Sequence, residues 1–344
     1  MASLSPEGKL DRLWKRGCDF LGTRTAILGG AMSWLSERHL VSAISNAGGF
    51  GVIACGAMTP DLLDKEIAAT DRMTDKPFGV NLITMHPDLD ALIDVCIARK
   101  IGHIVLAGGV PTASSIAKIK ETGAKTICFA PALVLAKRLV RNGADALVIE
   151  GAEAGGHIGP VATSVLAQEI LPVMKDVPVF VAGGIARGEA VVSYLEMGAA
   201  GCQLGTRFVC ATESIAHADF KKAFIRANAR DAVPTVQIDP KFPVIPVRAL
   251  VNEGTKRFME TQRAIIGKFQ KGDLTQKEAQ LEIEHYWAGA LKRAVIDGDV
   301  ENGSLMAGQS VGMVTKEQPI GEILDEIVSQ AVSVLAERGY AESS

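Results

Sequence analysis

Eight short apolar runs recur between residues 26 and 204, at 26–28, 50–54, 78–82, 103–107, 125–129, 145–149, 178–182 and 200–204. They are continuous stretches of Val, Ile, Leu and Ala rather than alternating ones, the pattern of strands buried on both faces. Helical periodicity fills the intervals. Leu40, Val41, Ile44 and Ala47 make one apolar stripe, Leu89, Leu92, Ile93 and Ile97 another, and Ile116, Ile119 and Lys120 repeat the spacing. Pro60, Pro87, Pro111 and Pro131 stand near helix starts, where a missing N–H costs little. Strands alternating with helices every 20–30 residues or so predict a parallel (β/α)8 TIM barrel. An open doubly wound sheet is the alternative; eight strands and glycine pairs spread along the chain favour closure.

The 344 residues divide accordingly. Residues 1–24 read as a helical lead-in, 25–212 and 303–340 as the barrel, and 213–302 as a helical lid or substrate-side insertion after strand eight, with 242–248 inside it. A closing amphipathic helix spans 319–337, where Ile320, Ile323, Leu324 and Ile327 share a face. A net charge of −3 argues against nucleic acid, whose phosphates require a clustered positive field. The six cysteines contain no C-x-x-C pair and sit mostly in apolar runs, so buried thiols are expected and no metal is. No apolar run reaches the ~18 residues of a membrane span, and the charged N-terminus lacks a signal-peptide core. A cytoplasmic protein is expected.

Chemistry collects where strands end. Glu150 to Pro160 packs two carboxylates, four glycines and His157 into eleven residues directly after the sixth apolar run. A histidine with glycine neighbours is hard to hide, and its ordinary pKa of about 6.5 suits proton transfer near neutrality. Gly-Gly pairs at 29–30, 108–109, 155–156 and 183–184 also follow strands; the pair at 48–49 precedes one and reads as a helix C-cap. Gly183-Gly184 ends strand seven and Gly205-Thr206 ends strand eight, the two positions at which such barrels cup a phosphate. Two plain βα turns are the bland reading. No P-loop and no G-x-G-x-x-G follows the first strand, so a mononucleotide such as FMN fits better than a nucleoside triphosphate or a dinucleotide.

Gly79-Val80-Asn81, Glu150 to Gly159, Ala182-Gly183-Gly184-Ile185, Gln203-Leu204-Gly205-Thr206-Arg207-Phe208 and Met306-Ala307-Gly308-Gln309 stand in the order of the nitronate monooxygenase (2-nitropropane dioxygenase) superfamily, which the chain resembles from about residue 26 to 335. That superfamily includes the FMN-dependent enoyl-ACP reductase II. The resemblance implies a TIM barrel with non-covalent FMN. Asn81 is implied to hydrogen-bond the flavin ring. Gly155, Gly183, Gly184, Gly205 and Thr206 are implied to hold the phosphate and ribityl chain, with Gln203 nearby. Gly30, Ala31 and Met32 would lie against the isoalloxazine, Met306 and Gln309 would approach it, Glu150 would stand on the cofactor side, and His157 would be the catalytic histidine. Gly29-Gly30-Ala31-Met32 departs from the usual Gln-Gly-Gly-Met, and Glu150 stands where many nitronate monooxygenases carry Gln and the reductases Glu.

Two reactions follow from the resemblance. In one, an alkyl nitronate is oxidised with dioxygen to a carbonyl compound and nitrite; this reading leads narrowly, on the breadth of the superfamily. In the other, NAD(P)H supplies electrons that reduce an enoyl thioester, and His157 serves the enolate. Glu150 and the Met306–Gln309 segment lean toward the reductase. The basic helix with Lys221, Lys222, Arg226 and Arg230 offers a dock for acyl carrier protein, though a solvated face is the simpler reading. A non-redox barrel binding a phosphorylated ligand is the reading from another class. Trp34, His86 and His217 are candidates for the substrate mouth, with His86 better read as a surface residue, while His39, His103 and His285 read as structural. A homodimer is usual for similar proteins.

Overall fold

Strands without a polar face must be covered on both sides, and in the computed structural model, which describes residues 4–239, 242 and 244–340, they are. The barrel strands are β1 (Ile27–Gly29), β2 (Gly51–Ala54), β3 (Phe78–Ile83), β4 (His103–Ala107), β5 (Lys125–Phe129) and β6 (Ala146–Glu150). A two-residue strand, β7 (Gly156–His157), interrupts the next loop, and β8 (Val179–Ala182) and β9 (Gly201–Leu204) complete the set. All eight barrel strands are parallel, in the order β1-β9-β8-β6-β5-β4-β3-β2. The Leu28–Phe50 bridge joins the two ends and closes the cylinder. Each lies within about a residue of its apolar run.

Side chains alternate across this wall. Ile27, Ile53, Val80, Leu82, Ile104, Leu106, Leu147 and Ile149 pack outward with helix residues. Leu28, Phe50, Val52, Val105, Ile127, Ala146, Val148 and Phe180 fill the interior. Helices α2 (Arg38–Asn46), α3 (Pro60–Asp71), α4 (Leu89–Ala98), α5 (Ala113–Lys120), α6 (Leu133–Arg141), α7 (Thr163–Ile170), α8 (Gly188–Glu196) and, after the insertion, α12 (Ile320–Leu335) form the outer ring. The lead-in is α1 (Pro6–Leu21), whose last turn plugs the far end of the cylinder: the Phe20 carbonyl accepts from Lys125 Nζ at 2.7 Å and meets His103 Nε2 at 2.9 Å. Burial pushes His103 down to about 4, so it is a neutral structural residue.

Between the η-turn that follows β9 and the return to the ring lie α9 (Ala218–Arg226), β10 (Ala232–Pro234), β11 (Val247–Leu250), α10 (Glu253–Lys271) and α11 (Gln276–Val295). This stretch holds three α-helices and two short strands. Pro243, within the 242–248 segment, lies outside the described residues. Its core is separate from the barrel's: Phe258, Ile265 and Ile266 of α10 pack on Ala279, Ile283 and Trp287 of α11. The Phe258 and Trp287 rings are 4.1 Å apart between centroids. A Thr275–Glu278 capping box sets the start of α11 and hence the phase of its faces. Among the described residues no helix is long and apolar enough to cross a membrane.

Candidate active site at the barrel mouth

Parallel register fixes which side chains look into the mouth. Glu150 pairs with Ala182, Ala182 with Gln203, and Gln203 with Leu28. Ala182 and Leu28 belong to the interior cluster, so Glu150 and Gln203 share their inward face at the C-terminal rim. Asn81 sits between Val80 and Leu82, which face the helices, and so it too turns inward. Asn81 is 4% and Gln203 9% exposed, yet neither side-chain amide has a protein partner among the described residues. Neither amide is among the fully enclosed polar atoms that lack a partner, so both open onto the space of the mouth. Two of them at one rim mark a place built to hydrogen-bond something other than protein.

The glycine turns that follow β8 and β9 lie beside them. Gly183 and Gly184 adopt φ of 97° and 74°, a conformation that a side chain would strain. The N–H groups of Gly184, Gly205 and Thr206 find no backbone acceptor among the described residues. Thr206 Oγ1 accepts from Gly308 N at 2.9 Å, which leaves its own proton free to donate. Gly30 to Met32 lies against the Gly205 turn, with Gly30 N donating to the Leu204 carbonyl at 2.7 Å. Buried Ser36 holds it there, donating to the Gly30 carbonyl at 2.8 Å and accepting from Met32 N at 3.0 Å. Free donors, inward amides and a side-chain-free floor fit a phosphate-bearing planar cofactor.

The returning segment passes under the His157 loop. Gly308 N meets Thr206, Gln309 N donates to the Glu153 carbonyl at 2.9 Å, and Met306 bridges to Ala249. Gly155 is the tightest point of the crossing, since a Cβ there would sit 2.5 Å from Gly308 N and 2.7 Å from the Ala307 carbonyl carbon. Its missing side chain serves this backbone approach. Glu153, just before it, accepts from the Thr163 backbone and hydroxyl at 2.9 and 2.8 Å and so ties the loop to the start of α7.

His157 joins barrel and insertion. Its short strand pairs with β11, Val247 opposite His157 and Arg248 opposite Gly156, and β11 pairs in turn with β10. Arg248 runs back under the loop to the carbonyls of Ala152 and Ala232 at 2.8 and 2.5 Å. From across the mouth, Glu284 of α11 places Oε1 3.1 Å from His157 Nε2. The ring keeps 39% of its side-chain surface open, into a crowded recess. Burial pulls the imidazole down, but its hydrogen bond to Glu284 and the charges of Glu284 and Glu150 outweigh it and raise its pKa above the usual value. Burial pushes Glu150 up to about 7, with the nearby His157 charge opposing. A carboxyl that keeps its proton up to about pH 7 therefore stands near an imidazole held above its usual value.

Among the other candidates, Trp34 reaches the mouth and gives its indole N–H to the Ala288 carbonyl of α11 at 3.1 Å. His86 accepts from Asp88 N in its own turn, and His217 caps α9. Lys221 turns inward, 7% exposed, to Glu317 and the Ala211 carbonyl, so α9 does not present the four-cation face its sequence suggests. Among the described residues no group of three or more His, Cys, Asp or Glu is arranged to hold a metal. A groove of about 740 Å3 between α2 and residues 212–215 shares no residue with the mouth. Sequence reasoning missed Glu284, Arg248, Thr163 and Ser36.

The family model for nitronate monooxygenase matches residues 15–330. A (3aS,4S,5R,7aS)-5-hydroxy-7a-methyl-1-oxo-octahydro-1H-indene-4-carboxyl-CoA dehydrogenase of Mycobacterium tuberculosis is 30% identical, over 92% of this chain and 96% of that protein. A probable nitronate monooxygenase of Bacillus subtilis is 25% identical, over 87% and 94%. Among solved structures, FabK from Thermotoga maritima aligns with a TM-score of 0.84 at 36% identity, covering 94% of this chain and 98% of that one. Nitroalkane oxidase from Streptomyces ansochromogenes aligns at 0.76 and 25%, covering 92% and 98%.

Proposed function

The chain belongs to the nitronate monooxygenase family, and from that premise we propose that this FMN-dependent oxidoreductase exchanges a hydride with the acyl part of a thioester, His157 handling the accompanying proton. The observation that carries the reading is a pair of groups at the mouth: His157, held at Nε2 by Glu284 at 3.1 Å and raised above its usual value, and Glu150 nearby, pushed up to about 7. Such a pair holds a transferable proton at the pH of the cell. Identities of 30% with a carboxyl-CoA dehydrogenase and 36% with FabK support a thioester over a nitronate.

FMN, when bound, supplies the two-electron chemistry. Asn81 and Gln203 would satisfy their amides on it, and Gly183, Gly184, Gly205 and Thr206 would hold its phosphate and ribityl chain. Gly30, Ala31 and Met32 would floor the ring, with Met306 and Gln309 at its edge and Gly155 admitting that segment. His157 would hydrogen-bond the thioester carbonyl, stabilise the enolate as charge develops on oxygen, and give up one proton. Residues 213–302 would act as the lid that excludes water, and NAD(P)H would serve as reductant. A CoA-type carrier suits the inward-turned Lys221 better than an acidic carrier protein.

Nitronate oxidation, first on sequence alone, becomes the second reading; the family model and the nitroalkane oxidase neighbour favour it. Anaerobic stopped-flow absorbance separates the two. Reduction of the bound flavin by NADH or NADPH, followed by reoxidation with crotonyl-CoA, is the expected result. Rapid reduction by propyl nitronate with crotonyl-CoA inert would overturn it, and a colourless protein that takes up no FMN would overturn the cofactor assignment. His157→Ala should retain FMN and lose turnover by about a hundredfold or more.

A further inference from the structure

A histidine that moves a proton works through one ring nitrogen, and the other nitrogen must be held. In this protein Nε2 of His157 is already taken, 3.1 Å from Glu284 Oε1, whereas Nδ1 has no protein partner among the described residues. We propose that Glu284 is a positioning residue of the reaction: from α11 of the insertion it holds the His157 ring by Nε2–H, so that Nδ1 is the nitrogen presented to substrate. This rests on His157 handling the proton in the reaction proposed above.

Among the described residues, the elements packed against the ring leave Glu284 alone in that role. Glu150 on β6 influences the ring by charge without a hydrogen bond to it. Glu153 in the same loop is engaged by Thr163, and Arg248 on β11 is spent on two backbone carbonyls. The returning segment 306–309 carries no charged side chain. A carboxylate on one nitrogen orients an imidazole, selects its tautomer and stabilises the imidazolium. The proton balance is simple. Imidazolium Nδ1–H breaks, the proton bonds to the substrate anion, and a neutral ring remains with Nε2–H still on Glu284. No electrons pass through either residue.

The insertion thereby controls the histidine. α11 meets the barrel mouth at Glu284 and again one turn on, where Trp34 donates to the Ala288 carbonyl at 3.1 Å. With the insertion undocked, His157 would lose both its orientation and its carboxylate.

The test is NMR of 15N-histidine-labelled holoenzyme, the His157 signal being identified by its absence from His157→Asn. In the wild type the neutral ring should be the Nε2–H tautomer, titrating above the usual histidine value. Glu284→Gln keeps an acceptor but removes the charge. It should keep that tautomer and lower the His157 titration, shift the matching limb of the kcat/KM pH profile in the same direction, and leave the flavin spectrum unchanged. Glu284→Ala should also lose the tautomer preference and cut kcat tenfold or more. An Nδ1–H tautomer in the wild type, or unaltered titration in both variants, would overturn the proposal. The NMR readout needs no substrate, so failure of the thioester reading would show in stopped-flow while the Glu284 dependence stood.

Discussion

Trp34 and Ala288 join the loop after the first barrel strand to the insertion: the indole N–H donates to the helix carbonyl at 3.1 Å, and the Lys292 ammonium stands 5.2 Å from the ring centroid. Trp34 does this from a φ of 67°, a conformation that non-glycine residues take only when their surroundings impose it. Trp34→Phe keeps the ring and removes the donor, at a cost of about 1 kcal/mol. Hydrogen exchange along α11 should quicken while the barrel strands keep their protection. Unchanged exchange in α11 would mean that this contact does not hold α11 to the mouth.

The amides of Asn81 and Gln203 have no protein partner among the described residues, so their removal should leave the empty protein no less stable. Asn81→Ala and Gln203→Ala should each weaken FMN binding by about tenfold, one lost hydrogen bond of roughly 1.4 kcal/mol. Fluorescence titration of FMN and melting of the apoprotein check both halves. A fall in apoprotein Tm with FMN affinity intact would reverse the assignment.

At Gly155 the neighbours of an added methyl would be backbone, which cannot swing aside. Gly155→Ala should destabilise by about 1–3 kcal/mol through overpacking, and should weaken flavin retention as the 306–309 segment is displaced. Denaturant unfolding and flavin content of the purified variant measure the two effects together.

Glu150 carries a pH signature. Its folded-state pKa, about 7, lies above the ordinary 4.5, so it binds its proton more tightly folded than unfolded. Its contribution to stability is fully present below 4.5 and lost as pH rises through about 7. Glu150→Gln carries no such proton. The Tm of that variant relative to wild type should therefore climb between pH 5 and 8, toward a difference of roughly 2–3 kcal/mol at about 1.4 kcal/mol per pKa unit. A flat difference across that range would contradict the buried-carboxyl account.

The barrel was legible because its strands are buried on both faces, which forces continuous runs such as Ala146-Leu147-Val148-Ile149 that helices and loops do not need. Most of the mouth followed, since Glu150, Gly183, Gln203 and Thr206 sit at the ends of such runs. The small sheet was not legible. A two-residue strand within a glycine-rich loop has no periodicity, and Val247 and Arg248 pair with His157 and Gly156, some ninety residues earlier, which no local pattern records. Glu284 lies among Glu278 and Glu282 on a helix of ordinary acidic appearance. Only the crossing of α11 over the mouth separates it from its solvated neighbours.

The return of residues 306–309 beneath the His157 loop also sets an order of assembly. The eight strands are complete by Leu204, yet the mouth needs Met306 to Gln309, and the outer ring needs α12 to pack on α8 and α1. During synthesis the barrel wall thus leaves the ribosome roughly a hundred residues before the segment that finishes the mouth, which at ~5–20 residues per second is a wait of about 5–20 s. Through that interval the faces of α8, α1 and α2 that α12 later covers with Ile320, Ile323 and Leu324 lack their partner.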